Sequence, residues 1–171
     1  MTVLASHIRP LGRTAVVLVA LTTLAALLAA TNPGAAAGLF TDPPHPVLSG
    51  TADEVLEVLA TNLPALAVPP LLALTLAGHS RAWRSLGDLI TAAIMIANTG
   101  LVGAALGTYG TRLLPYLPHL PLELGALACS CAAWWATRTQ RHPIGRLVLC
   151  GLVLAVAAAA VEVYATPHTS R

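Results

Sequence analysis

The chain alternates between long apolar stretches and short polar ones. The polar intervals are rich in Pro, Gly, Asn and Asp, residues that favour turns. A membrane-spanning helix needs ~20 apolar residues, and five stretches approach or exceed that length: about Thr14–Thr31, Asp53–Ala77, Asp88–Tyr109, Pro121–Thr137 and Arg146–Ala165. The pattern predicts an all-α fold, a polytopic membrane bundle of about five transmembrane helices that forms one domain over residues 1–171.

Composition supports a membrane location. The chain is 56% hydrophobic and 9% charged, whereas a soluble domain carries about 25% charged residues. All nine basic residues are Arg and the net charge is +2, too little for a nucleic-acid-binding surface. The expected partners are therefore the lipid bilayer, other membrane or envelope proteins and a second copy of the chain, with no nucleic acid.

The placement of arginine predicts how the helices are oriented. In a five-span arrangement only Arg112 and Arg171 fall on one side, while seven fall on the other: Arg9, Arg13, Arg81, Arg84, Arg138, Arg141 and Arg146. Because basic residues are retained in the cytoplasm, we expect a plasma-membrane protein with its N-terminus inside and its C-terminus outside.

The first apolar stretch also fits a secretory signal with a cleavage site at residues 35–37. Its length of ~18 residues exceeds the usual 7–15 of such signals, which favours a retained helix.

Three further patterns concern the packing and position of the helices. Pro64, Pro69 and Pro70 remove backbone donors from the second predicted helix, so we expect it to be kinked or broken and packed inside the bundle. The spacing of Gly100, Gly103 and Gly107 favours close helix contact. The pair Trp134–Trp135 near a helix end is typical of interfacial anchors.

Ionisable and amide side chains collect at the predicted outer ends of the helices. His119 and Glu123 are four residues apart, a spacing that brings side chains together on a helix. A carboxylate, an imidazole or an amide at membrane depth indicates a functional site. The residues expected to share a polar cleft, open to the outside and walled by the second to fourth predicted helices, are His119, Glu123, Glu54, Glu57, Asn62, Asn98 and Arg112.

Three interpretations of this cleft stay open. In a catalytic cleft, His119 acts as a base that Glu123 orients, and Glu54 or Glu57 supplies a second acid. The same groups could instead hold a divalent metal. Alternatively, Glu54, Glu57 and Glu123 are ordinary first-turn acids stabilised by helix dipoles. No zinc-type cysteine spacing or phosphate-binding loop is present, so we assign no cofactor and no metal ligands, and the metal-binding interpretation stays among the alternatives.

The ordered motifs resemble a known family. Glu57 and Asn62 precede the segment 98–103 (Asn-Thr-Gly-Leu-Val-Gly), and the segment 117–124 (Leu-Pro-His-Leu-Pro-Leu-Glu-Leu) follows. Over about residues 53–137 this is similar to the stage II sporulation protein M family of membrane proteins. That family has an Asn in an early helix, an Asn-Gly in a middle helix and a Pro-His-Gly-x-x-Glu signature before a late helix.

Two positions depart from the family pattern: Thr99 separates Asn98 from Gly100, and Leu120 replaces the signature glycine. The resemblance implies functional roles for four residues: Asn62, Asn98, His119 and Glu123. It also implies a scaffold in cell-wall remodelling, or a part in peptide maturation or export.

The leading hypothesis is a non-catalytic scaffold or accessory subunit for envelope- or peptide-processing partners. One alternative is an intramembrane enzyme (a peptidase, peptide cyclase or lipid-directed hydrolase) that uses His119 and Glu123 with Glu54 or Glu57. It requires these groups to surround one water-accessible pocket. The other alternative is an export or transport subunit, which requires a polar path as far as Asp88.

Overall fold

Five long helices make up the described part of the computed structural model, which covers residues 2–32, 50–140 and 144–165. No strand occurs in these ranges, so the predicted all-α bundle is confirmed. Residues 35–37, Arg141 and Arg171, used in the predictions above, lie outside them. The helices are α1 (Thr2–Thr31), α2 (Ala52–Leu76), α3 (Arg81–Tyr109), α4 (Leu120–Gln140) and α5 (Gly145–Ala165), with a 3-10 turn at Gly110–Tyr116 between α3 and α4.

Large apolar side chains face outward and small ones face inward. Side chains left exposed include Leu24, Leu28, Leu71, Leu74, Leu89, Leu149 and Val153, whereas alanines dominate the buried set. An exposed apolar surface of this extent suits lipid rather than water. Four segments are long and apolar enough to cross a membrane: Pro10–Thr31, Ala52–Leu76, Arg81–Leu114 and Gly145–Ala165. The protein is therefore a helical membrane protein.

The fourth predicted span, α4, is the central helix of the bundle. It contacts each of the other described helices, and every residue from Ala126 to Trp134 is buried. A helix that protein shields from lipid needs small residues more than large apolar ones. This explains why α4, although long enough to span, is not among the four most apolar segments.

Polar side chains of α4 form a stripe along one face. Glu123, Ser130, Trp134 and Arg138 lie within an arc of about 80° at 100° per residue. Trp134 is fully buried, so its prediction as an interfacial anchor is wrong. Its Nε1 donates to Asp88 Oδ1 of α3 at 2.9 Å, and Arg138 forms an ion pair with the same carboxylate.

The stripe also supports the proline-rich helix. Helix α2 was predicted to be kinked or broken; it is not broken, because it runs uninterrupted through its three prolines, and Pro69 and Pro70 are buried as expected. Because Pro70 has no N–H, the carbonyl of Leu66 lacks its usual helical donor. The Ser130 hydroxyl of α4 donates to that carbonyl at 2.5 Å. A neighbouring helix thus satisfies the backbone group that the proline frees.

Helix α1 packs chiefly against α3, at two of the three predicted glycines. A Cβ added to Gly103 would lie 2.5 Å from both Thr22 O and Ala25 Cβ of α1, and one added to Gly107 would collide with the α1 backbone at Ala26. A Cβ at Gly100 would meet nothing within 4 Å. The contact therefore depends on Gly103 and Gly107, and it would be lost if α1 were cleaved.

We expect Ser130→Ala to lower the free energy of unfolding by about 1 kcal/mol, the scale of hydrogen bonds between membrane helices. In a Pro70→Ala background the same change should have less than half this effect, because residue 70 then supplies the missing N–H. Unfolding in detergent micelles by a four-member mutant cycle measures both values. An equal effect of Ser130→Ala in the two backgrounds would refute this role of the hydroxyl.

Substitution at two glycines of α3 should separate packing from helix propensity. Gly103→Ala forces α1 away and should destabilise the protein by about 1–3 kcal/mol. Gly100→Ala, one turn earlier, adds only helix propensity and should be neutral or stabilising by up to about 1 kcal/mol. Thermal unfolding of both variants in the same detergent tests this, and similar losses of stability for both would contradict the α1–α3 contact.

Candidate functional site

A polar cleft opens at the end of the bundle where α2 and α4 begin and α5 ends. Its volume is about 320 Å³, and its lining residues are Glu54, Glu57, Val58, Thr61, Asn62, His119, Glu123 and Glu162. The chain contains four glutamates, and all of them line this cleft. We refer to this end, defined by Glu54, Glu57, Glu123 and Glu162, as the acidic end.

His119 and Glu123 lie at the start of α4. The His119 carbonyl accepts from the backbone N–H groups of Leu122 and Glu123, so it is the first acceptor in the hydrogen bonding of α4. Pro121 is tolerated there because first-turn N–H groups have no helical acceptor. His119 Nε2 lies 3.9 Å from Glu123 Oε2, and both side chains are largely buried. His119 Nδ1 is buried without a hydrogen-bond partner among the described residues.

Asn62 of α2 orients the Glu123 carboxylate. Its Nδ2 donates to Glu123 Oε1 at 2.9 Å across the α2–α4 contact. One carboxylate oxygen is therefore held by the amide, while the other faces His119. This contact joins two residues that are 61 positions apart and sets the geometry of the cleft.

The two acids at the start of α2 have different surroundings. Glu54 Oε2 accepts from the N–H groups of Gly50 and Thr51, while Glu54 N–H donates to Thr51 Oγ1. This is a capping box, in which the carboxylate satisfies free backbone donors. Glu54 thus has the first-turn role that the sequence left as an alternative. Glu57 lies farther along α2, is exposed and faces the cleft.

Below the cleft, a small cavity of about 50 Å³ extends between the helices. Asn62 and Glu123 line both spaces, and Asn98 of α3 lines the deeper one. Asn98 Nδ2 donates to the Ile94 carbonyl of its own helix at 2.8 Å. The cavity is large enough for an ordered water, and the polar residues in its lining are Asn62, Asn98 and Glu123.

Six of the seven predicted residues line these two spaces, and Arg112 does not. It is exposed on the 3-10 turn. The mouth is walled by α2, α4 and α5, whereas we expected α3 in place of α5; α3 reaches only the deeper cavity. Glu162 of α5 was therefore missing from the predicted cleft. The sequence predicts Glu162 and Glu123 at the same depth in the membrane. Depth alone, however, does not tell which helices are neighbours in the bundle.

The opposite end of the bundle is closed. Asp88 is paired there with Arg138 and Trp134. Between the two ends lies an apolar cluster of buried side chains: Leu18, Met95, Leu127, Ala128 and Cys131. This apolar packing counts against the polar path to Asp88 that a transport role requires.

The cleft is suited to a positively charged group. No arginine among the described residues lines it, and the imidazole of His119 is its one nitrogenous base. Half-buried carboxylates that face one another are stabilised by a cation. Comparisons with protein-family models, with curated proteins and with solved structures give no match to this chain, so the conclusions on function below depend on this geometry.

We expect the acidic end to face outside the cell. With Cys150, which is exposed, replaced by Ser, the two other cysteines are buried. Cysteines are then introduced at the exposed positions Asp53 and Ser80, which flank the two ends of α2. A membrane-impermeant maleimide should label Asp53→Cys in intact cells but Ser80→Cys only after permeabilisation. The reverse pattern would invert the orientation.

Proposed function

We propose that this protein is a multi-pass accessory subunit of the plasma membrane whose acidic cleft receives a cationic group from an envelope- or peptide-processing partner. The proposal keeps the likeness to the stage II sporulation protein M family as its biological setting. In that setting, the residues that match the family motifs, Asn62, Asn98, His119 and Glu123, line the cleft and the cavity below it.

The observation that carries the proposal is the convergence of all four glutamates on one open cleft. Ionised carboxylates that share a cleft repel one another, and a bound cation relieves that repulsion. Elsewhere in the described chain, Asp88 has its own arginine partner. A cleft with excess negative charge favours an arginine, lysine or amine of a partner over an anionic guest.

A second candidate is a hydrolytic enzyme, favoured by the His119–Glu123 pair. The imidazole lies within 3.9 Å of a carboxylate that Asn62 orients, and both face a space open to water. That arrangement suits a general base. The two functions differ in one outcome: loss of His119 weakens the complex of a subunit, but leaves the complex of an enzyme intact while processing stops.

The transport alternative receives less support. Export through a single chain requires alternating access to a central site, and the apolar cluster around Leu127 and Met95 separates the cleft from Asp88. We therefore place any role in export with a partner that the cleft engages.

Two charge-removing substitutions in the first turns of α2 test the accessory role. Glu57→Gln and Asp53→Asn each remove one exposed negative charge, but of the two residues only Glu57 lines the cleft. After mild detergent extraction from the native cells, we expect Glu57→Gln to reduce the partners retained on the tagged protein several-fold. Asp53→Asn should retain them as the wild type does.

Equal retention by both variants, accompanied by loss of envelope or peptide processing in Glu57→Gln cells, would favour the enzyme. Equal loss in both variants would indicate a general charge effect, and the cleft would then have no specific role in binding.

A further inference from the structure

We propose that the acidic cleft binds a divalent transition-metal ion of the zinc class through His119, Glu123 and Glu162. The inference goes beyond the proposed function: the ion would take up Glu123 and Glu162, while the exposed Glu57 would still face a partner's cationic group. A site built from these three residues was not among the sequence-based predictions.

The first argument is the grouping of donor atoms. One ligand atom from each of His119, Glu123 and Glu162 can be chosen so that all three lie within 4.8 Å of one another. The donors come from two helices: two from the start of α4 and one from the end of α5. Packing of α4 against α5 therefore holds the ligands near one point before any ion arrives.

The second argument is the spacing of His119 and Glu123. Their atoms Nε2 and Oε2 are 3.9 Å apart, too far for a hydrogen bond. Two ligands that each lie ~2.1 Å from a tetrahedral zinc ion are about 3.4 Å apart. A side-chain movement of about half an ångström thus brings both atoms to coordination distance. A direct contact between His119 and Glu123 would instead leave the carboxylate of Glu162 without a counterion.

The third argument is the outer support of the ligands. Metal-binding carboxylates are commonly held by a hydrogen bond to their second oxygen, which fixes their direction. Asn62 Nδ2 makes that contact with Glu123 Oε1 at 2.9 Å, so Oε2 is turned toward His119. All three ligand side chains are partly buried, which limits competition from bulk water, and the cleft beyond them leaves room for a water as fourth ligand.

The donor set also selects the metal. Magnesium and calcium prefer sites made of oxygen alone, whereas an imidazole with two carboxylates suits zinc and related transition ions. Thiolates are not involved, because Cys129 and Cys131 are buried in the middle of α4 and Cys150 lies at the opposite end of α5.

The test uses the full-length protein with Cys150→Ser, purified in mild detergent and stripped with a chelator. After incubation with zinc and desalting, we expect one bound ion per chain by elemental analysis, and zinc should raise the thermal midpoint. His119→Ala and Glu162→Gln should each weaken zinc affinity at least about tenfold and abolish the thermal shift. Asp53→Asn is the matched control, because it removes an exposed negative charge from the same end of the bundle at a residue that does not line the cleft.

Cobalt gives an independent readout. Bound to the wild type, it should show the visible absorption of a four-coordinate site, and this band should be missing in Glu162→Gln even where that variant folds normally. The proposal is overturned if no zinc is retained, if His119→Ala and Glu162→Gln retain it as the wild type does, or if Asp53→Asn weakens binding as strongly as they do.

Failure of this inference and failure of the accessory role can be distinguished. Zinc binding is measured on the isolated chain, and partner retention on complexes from cells. If Glu57→Gln loses its partners but the isolated chain binds no zinc, the accessory role is supported and the metal site is refuted. If the chain binds zinc but Glu57→Gln retains its partners, the metal site is supported and the accessory role is refuted.

Discussion

Polar groups at membrane depth must find their partners inside the protein, and in this structure α4 provides most of them. Its polar stripe donates from Ser130 to the backbone of α2, and from Trp134 and Arg138 to Asp88 of α3. At its start, Glu123 accepts from Asn62 of α2. Hydrophobic burial distinguishes poorly between helix arrangements in lipid. These directional contacts therefore determine which faces of α2 and α3 meet α4, and through them where the cleft forms.

Small residues make those contacts reachable. The hydroxyl of Ser130 reaches a main-chain carbonyl of α2 because α4 is formed largely of alanine, glycine, serine and cysteine between Gly125 and Ala133. Gly87 lies directly against the ring of Trp134, so the indole can reach Asp88 only where α3 lacks a side chain. Close approach of the helices and pairing of their polar groups therefore depend on the same small residues. A larger side chain in the 125–133 segment or at position 87 would separate the helices and leave a buried polar group unpaired.

Depth along each helix could be predicted from the sequence, but the neighbours around each helix could not. Apolar length and the positions of Glu123, Asn62 and Glu57 placed these residues at one end of the bundle, and the structure brings them together. The same information left Glu162 out, because nothing local states that α5 rather than α3 stands beside the start of α4. Trp134 was misjudged for a related reason. A tryptophan near a helix end is typical of the interface, but its environment depends on whether another helix covers it. The stripe of Glu123, Ser130, Trp134 and Arg138 was the available signal, since polar residues on one face of an apolar helix indicate a protein-facing side.

The two ends of the bundle differ in the partners that their carboxylates have, and the proposed function depends on that difference. At one end, Asp88 receives a guanidinium and an indole N–H, so its charge is compensated within the fold. At the acidic end, four glutamates line a shared space together with Val58, Thr61, Asn62 and His119, and no arginine is among the described residues that line it. Glu54 caps its helix, and Glu123 accepts from Asn62 across the α2–α4 contact. The fold thus supplies an arginine partner for Asp88 but none for the glutamates of the acidic end among the described lining residues. In the proposed function, a bound cation compensates the acids that line this open cleft, as Arg138 compensates Asp88 at the other end.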